Sequence, residues 1–292
     1  MSMNCHACAI DANSTAIASI SYDEDTGYSI RECRTVRTGI GEYCGPGGKK
    51  AVNRLVSLLR KKEIETLVLS IHTPCFFPLD TLFSRNISNE TFDSYCRAEA
   101  AFLLSKPGDF MHDHLSYTLN SEQNPLRKYL LFYYPREPSN LLHDRLHACC
   151  SISSTTHYLK PIIKSIAATL QPFVLLEIEQ GYATFSAGNN GELEYFSYWR
   201  LNHKSDVEYF ALRELTISPQ YRQHPLSITG TLASDKSLAE RLSHAAGTTL
   251  YPFNLVDLYA MERNVRSACS SSIEQKELSA SLMDLYDSMS PS

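Results

Sequence analysis

The sequence predicts an α/β fold assembled from two similar halves. Three observations predict it. The order strand, strand, strand, helix, strand occurs twice along the 292 residues. An acidic residue closes the first strand of each copy, in Ile10-Asp11 and in Ile178-Glu179. After each acid, small or polar residues turn the chain into a second strand, and a hairpin follows about one strand length later. The composition agrees with a globular chain, at 43% hydrophobic and 20% charged residues, and excludes disordered and fibrous classes. The length suits one large domain or two of ~150 residues.

In the first copy, Cys5 to Asp11 is small and apolar and Thr15 to Tyr22 alternates with Ile. The acidic turn Asp23-Glu24-Asp25-Thr26-Gly27 leads into Tyr28 to Val36. These are three strands joined by tight turns. Gly45-Pro46-Gly47-Gly48 breaks the pattern. Val52, Leu55, Val56, Leu58 and Leu59 then recur at helical spacing, with Lys49, Lys50, Arg54, Arg60 and Lys61 on the remaining positions. The basic side of this helix, 49 to 62, reads as a solvated face. Glu65 to Ile71 suits a buried parallel strand.

A different piece separates the copies. Asn89 to Leu104 reads as a helix, Tyr129 to Tyr134 as a strand, and Leu141 to Cys150 and Leu159 to Leu170 as helices. Pro161 sits near the start of the last of these, where proline is tolerated. In the second copy, Phe173 to Glu179, Tyr182 to Ala187 and Glu192 to Tyr198 are strands, the last two joined by the hairpin turn Gly188-Asn189-Asn190-Gly191. A helix over 205–215 and a short strand over 226–229 follow. From Ser267 the chain is Ser-rich, with Ile273, Leu278, Leu282 and Leu285 on one helical stripe.

The net charge of −5 offers no global basic footprint for nucleic acid or an anionic membrane. No run of ~18 apolar residues predicts a membrane-spanning helix, and MSMNCHAC does not read as a secretory signal. The nine cysteines, at 5, 8, 33, 44, 75, 96, 149, 150 and 269, form no disulfide framework and read as free, buried thiols in a reducing compartment.

Several segments carry the pattern of a known family. The first strand runs into Ile10-Asp11-Ala12-Asn13-Ser14-Thr15, against a family motif of Asp-x-Gly followed by hydroxyl residues. A middle helix holds Arg97-Ala98-Glu99-Ala100-Ala101-Phe102 with Pro107 downstream. The second copy has Glu177-Ile178-Glu179-Gln180-Gly181 where Asp-x-Gly is usual. Leu226-Ser227-Ile228-Thr229-Gly230-Thr231 precedes Leu238-Ala239-Glu240-Arg241-Leu242, and Gly247 to Phe253 follows as a return strand. In this order the chain resembles the actin-like ATPase superfamily, which includes actin, sugar kinases and FtsA, and within it the pilus-assembly branch represented by PilM. The resemblance spans residues 5 to 257.

The resemblance implies a duplicated ribonuclease H-like fold with two halves around a cleft. It divides the chain into 1–88 with 151–171 as the first half, 89–150 as an inserted α/β piece, 172–266 as the second half and 267–292 as a tail. By the same resemblance, Asp11, Asn13, Ser14, Thr15, Glu179, Gly181, Gly230 and Thr231 are the candidate nucleotide-binding residues. Three departures weigh against an intact site. Ala12 replaces a glycine, Glu179 replaces an aspartate, and only Gly230 remains of an expected glycine pair or triplet. The stretch from Arg200 to Pro225 is also short for the insert that covers a nucleotide.

The expectation is a non-catalytic or weakly nucleotide-binding assembly protein with no cofactor, no metal and no catalytic residue. It would be cytoplasmic, held at the inner membrane through the tail of a membrane assembly protein, with no nucleic-acid partner and no membrane insertion. The alternatives are an active ATPase using ATP with Mg, a metal-dependent nuclease using Asp11, Glu177 and Glu179, and a module whose cleft is packed by Tyr182 and Gln180. Cys5-His6-Ala7-Cys8 has the Cys-x-x-Cys spacing of half a zinc site, and the glycine turn before Lys49 could hold an anion but is no P-loop. His112 and His114 share a face only on a strand. There is no G-x-S-x-G.

Overall fold

A computed structural model describes residues 3–23, 27–118, 124–169, 172–190, 192–203, 205–217, 219–252 and 260–261. The tail stripe of Ile273, Leu278, Leu282 and Leu285 lies outside these residues. In chain order the elements begin with β1 (Met3–Ile10), β2 (Thr15–Asp23), β3 (Gly27–Val36), α1 (Ile40–Tyr43), α2 (Gly48–Lys61) and β4 (Thr66–Ile71). Next come β5 (Phe77–Ser84), α3 (Asn89–Leu103), β6 (Phe110–Ser116), β7 (Leu126–Pro135), α4 (Glu137–Leu146), β8 (Ser151–His157) and α5 (Leu159–Thr169). The last are β9 (Phe173–Ile178), β10 (Tyr182–Asn189), β11 (Glu192–Arg200), α6 (Asp206–Ile217), β12 (Leu226–Thr229), α7 (Lys236–Ala246), β13 (Leu250–Pro252) and β14 (Ala260–Met261).

The chain forms two compact units. One comprises Met1–Pro74, Arg136–Ser165 and Phe253–Ser292. The other comprises Cys75–Pro135 and Ile166–Pro252. The first unit carries a sheet in the order β14-β3-β2-β1-β4-β8, and the second a sheet in the order β11-β10-β9-β12-β13. In the first, β1, β2 and β3 form an antiparallel meander, and β4 and β8 continue parallel on the far side of β1. In the second, β9, β10 and β11 form the same meander, and β12 and β13 continue parallel on the far side of β9. The duplication read from element order is thus present as one topology used twice. The turns repeat as well: the Asp11 N–H donates to the Ser14 carbonyl at 3.0 Å, and the Glu179 N–H to the Tyr182 carbonyl at 2.9 Å.

Strand β9, Phe-Val-Leu-Leu-Glu-Ile, is buried at all six positions, as a central strand with both faces covered should be. Val174, Leu176, Val207, Leu215, Leu238 and Leu242 form one core with α6 and α7. In the first unit, α2 and α4 bring Leu55, Leu59, Leu142 and Leu146 against Cys8, Ile17, Leu67 and Leu69. A three-stranded sheet, β5-β7-β6, covers its aromatic face with α3. Residues 77–135 carry this sheet, where the sequence reading placed an insert at 89–150.

Helix α4 opens on Glu137-Pro138, and proline in the first turn costs no backbone bond. It ends at Leu146, whose carbonyl takes the N–H groups of Cys149 and Cys150. The helix expected over 141–150 therefore sits four residues earlier, and a strand follows it directly. Among the described residues, no helix is long and apolar enough to cross a membrane.

Helix α7 is capped by Asp235, whose Oδ1 accepts from the N–H groups of Ser237 and Leu238 at 3.0 and 3.2 Å. Replacing Asp235→Ala should lower the unfolding free energy by about 1 kcal/mol in urea denaturation, and Asp235→Asn should restore most of it.

Candidate functional site

The first candidate loop joins β1 to β2. Its conformation is set by an aspartate that folds back on its own backbone. Asp11 Oδ1 accepts from the Asn13 and Ser14 N–H groups, both at 2.6 Å. This is the short-range carboxylate turn that Asp and Asn favour. A second segment clamps the loop from outside. The Ile40 N–H donates to the Asp11 carbonyl at 2.8 Å, and the Gly41 N–H to the Ala12 carbonyl at 3.1 Å. Gly39 lies so close that a Cβ there would overlap the Asn13 nitrogen and the Asp11 carbonyl. Only glycine lets the two backbones approach this far.

Thr15 is fully buried. Its hydroxyl donates to the Thr38 carbonyl at 2.6 Å and lies 2.9 Å from the Tyr43 hydroxyl. Burial pushes the Tyr43 phenol well above its ordinary pKa, so it stays a neutral partner for Thr15. Asn13 is exposed, and Asp11, Ala12 and Ser14 are half-buried. The Asn13 and Ser14 amides are therefore satisfied from within, by a carboxylate.

The second candidate loop joins β9 to β10 in the other unit. Glu179 is nearly buried and accepts a hydrogen bond from the Thr231 hydroxyl at 2.5 Å. Gly230 has φ +100° and presses on the end of β9, where a Cβ would overlap the Ile178 carbonyl. Glu179, Gly230 and Thr231 are thus brought together. Gly181 is exposed, with open space where a side chain would stand, and its carbonyl accepts from the Leu201 N–H at 3.0 Å.

Glu177, fully buried on β9, accepts from the Thr184 hydroxyl at 3.3 Å and is hydrogen-bonded to Tyr182. Burial raises the Tyr182 phenol pKa far above normal, and the charges of Glu177 and Glu179 add to this. Tyr182 stacks on Tyr198 with centroids 5.6 Å apart and meets Phe76 edge-on at 5.3 Å. Gln180 is exposed.

The remaining candidates resolve into packing and local pairs. Cys8 lies in the core, and His6 Nδ1 lies 2.9 Å from Ser19 Oγ, with its pKa lowered by burial and by Lys62. His112 and His114 do share a strand, β6. There His112 Nε2 lies 3.3 Å from Asp93 Oδ1, and the His114 ring packs on Phe92 at 4.4 Å. Sequence reasoning did not find Thr38, Gly39 or Tyr43. Their one signal was a glycine directly before a four-residue helix.

No family model and no curated protein matches the chain by sequence. Solved structures do match it in fold. A chain of the PilM–PilN type IV pilus biogenesis complex superposes with a TM-score of 0.70 at 14% identity, covering 98% of this chain and 99% of that one. A protein of Bacteroides thetaiotaomicron with an actin-like ATPase fold gives 0.47 at 11% identity, covering 94% and 95%. The cytoplasmic domain of EpsL, from the type II secretion system of Vibrio cholerae, gives 0.48 at 9% identity, covering 96% and 95%. The first of these carries the comparison. With the repeated sheet topology, it shows that the chain has an actin-like ATPase fold.

Two outcomes test the loops. Asp11→Ala should cost about 2 kcal/mol in chemical denaturation, because two amides lose a charged acceptor. Asp11→Asn keeps an acceptor and should recover more than half of that loss. A double-mutant cycle of Glu179→Ala and Thr231→Val should give a coupling of about 1–2 kcal/mol.

Proposed function

We propose that this chain is a non-catalytic actin-like assembly protein that works beside a membrane machine, in the manner of the PilM branch. The observation that carries the reading is the Asp11 turn. Its carboxylate occupies the Asn13 and Ser14 amides, and those amides are what an actin-like loop offers a phosphate. The arrangement does not fit a bound Mg-nucleotide. An incoming phosphate would have to displace a like charge, and a cation would draw Asp11 out of the turn that shapes the loop. Glu179 is likewise committed to Thr231.

The likeness to a chain of the PilM–PilN complex, over nearly the full length of both chains, supports the assembly role. On this reading the chain is cytoplasmic and binds a short segment of a membrane assembly protein. The segment docks as an added strand or in a groove, and it holds the chain at the inner membrane.

Thermal unfolding with and without millimolar Mg-ATP tests the first half of the reading. A ligand at about 100 times its Kd adds about 2.7 kcal/mol of stability, a shift of several degrees. The expected result is an unchanged midpoint. A shift that disappears in Asp11→Ala would overturn the reading that this loop is closed to nucleotide, and release of phosphate from ATP would then decide between binding and an ATPase. Co-expression with the cytoplasmic segments of membrane assembly proteins tests the second half, through a complex that survives size-exclusion chromatography.

A further inference from the structure

Helix α2 concentrates positive charge in a chain whose net charge is −5. Its sequence, Gly-Lys-Lys-Ala-Val-Asn-Arg-Leu-Val-Ser-Leu-Leu-Arg-Lys, holds five basic residues and no acidic one. Ala51, Val52, Leu55 and Leu59 are buried against the sheet of the first unit. Lys49, Lys50, Asn53, Arg54, Ser57, Arg60 and Lys61 are all exposed. The 14 residues make a strip ~21 Å long.

Three features set this strip apart from an ordinary solvated face. First, Lys49 and Lys50 stand in the first turn, where the helix dipole disfavours cations and no acid compensates them. Second, among the described residues Lys49, Lys50, Arg54 and Lys61 enter no ion pair, whereas Lys62, just past the helix, pairs with Glu32. The strip's cations are therefore not spent on neighbours within the fold. Third, Arg60 reaches the Ala148 carbonyl at 3.2 Å, next to α4, where Arg145 and His147 are exposed and extend the same basic surface around Asp144. Glu42 before the helix and Glu63 after it mark its limits.

We infer that the α2 face binds an anionic membrane surface directly, through lipid headgroups. A helix face packed along its sheet suits a plane of charge, and its five cations stand in a chain that is otherwise net negative. Lys and Arg clusters of this size bind anionic leaflets with each charge contributing separately. Nucleic acid fits less well. No aromatic side chain lies among the exposed positions to stack on bases. The helix is also held flat on its sheet, so it does not project into a groove. The inference rests on this charge pattern and not on the partner reading above.

Vesicle flotation of the full chain tests it, using phosphatidylcholine alone against a mixture with about one-third phosphatidylglycerol. The chain should float only with the anionic vesicles and should be released by high salt. Each removed charge should weaken binding about fivefold, so Lys50→Gln with Arg54→Gln should lose about 25-fold. Thermal unfolding should show that this variant is folded, since both positions are exposed. The control pair Arg97→Gln with Lys106→Gln, exposed in the other unit, should bind as the parent does. Equal flotation with both vesicles, no flotation, an equal loss in the control pair, or tighter binding to duplex DNA through the same residues would each overturn the inference. The vesicles contain no protein, so such a failure is separate from failure to find an assembly partner.

Discussion

A strand buried on both faces must find every backbone partner inside its own sheet. Strand β9 is under that constraint along its whole length and β1 from Ala7 to Ile10, and the rest of each unit is arranged to meet it. Each is paired antiparallel on one edge and parallel on the other. That double pairing fixes which residue is last in register, at Ile10 paired with Thr15 and Ile71, and at Ile178 paired with Ala183. The next residue, Asp11 or Glu179, emerges where the sheet ends. Its position is set by the sheet before any chemistry is considered.

What each acid does there depends on its length. Asp11 is short enough to reach the amides two and three residues ahead, so it closes its own turn. Glu179 is one methylene longer and reaches instead to the hydroxyl of Thr231, beyond the end of the neighbouring strand β12. Gly230 makes that reach possible by letting its backbone lie against Ile178. One topological position therefore carries two different polar solutions. In both, the carboxylate is engaged by the protein itself.

Much of this was legible in the sequence, and the gaps have physical causes. Strand β4, helices α2 and α3, and the short strand β12 are written in apolar periodicity, and their limits were close. The Ile10-Asp11 and Ile178-Glu179 equivalence was visible because an acid after an apolar run is a local signal. Strand β8 was missed: Ser-Ile-Ser-Ser-Thr-Thr-His has no clear alternation, and it is a strand because β4 offers it an edge. Strand β5 was missed because Pro78 and Asp80 speak against one, yet it pairs along its whole length with β7. The residues of the two turns could be named from the sequence, but the roles of Thr38, Gly39 and Tyr43 depend on contacts between segments more than twenty residues apart, which no local pattern encodes.

The Asp11 turn also bears on how freely this position can vary. A substitution that removes the carboxylate frees the Asn13 and Ser14 amides, but it deletes the acceptor that shapes the turn. A substitution that keeps the acid leaves the amides occupied. No single exchange at this position both frees the amides and keeps the acid. A different loop shape would need changes elsewhere, because the Ala12 and Gly39 contacts hold the present conformation. Drift at Asp11 alone would erode the stability of the loop that this carboxylate closes.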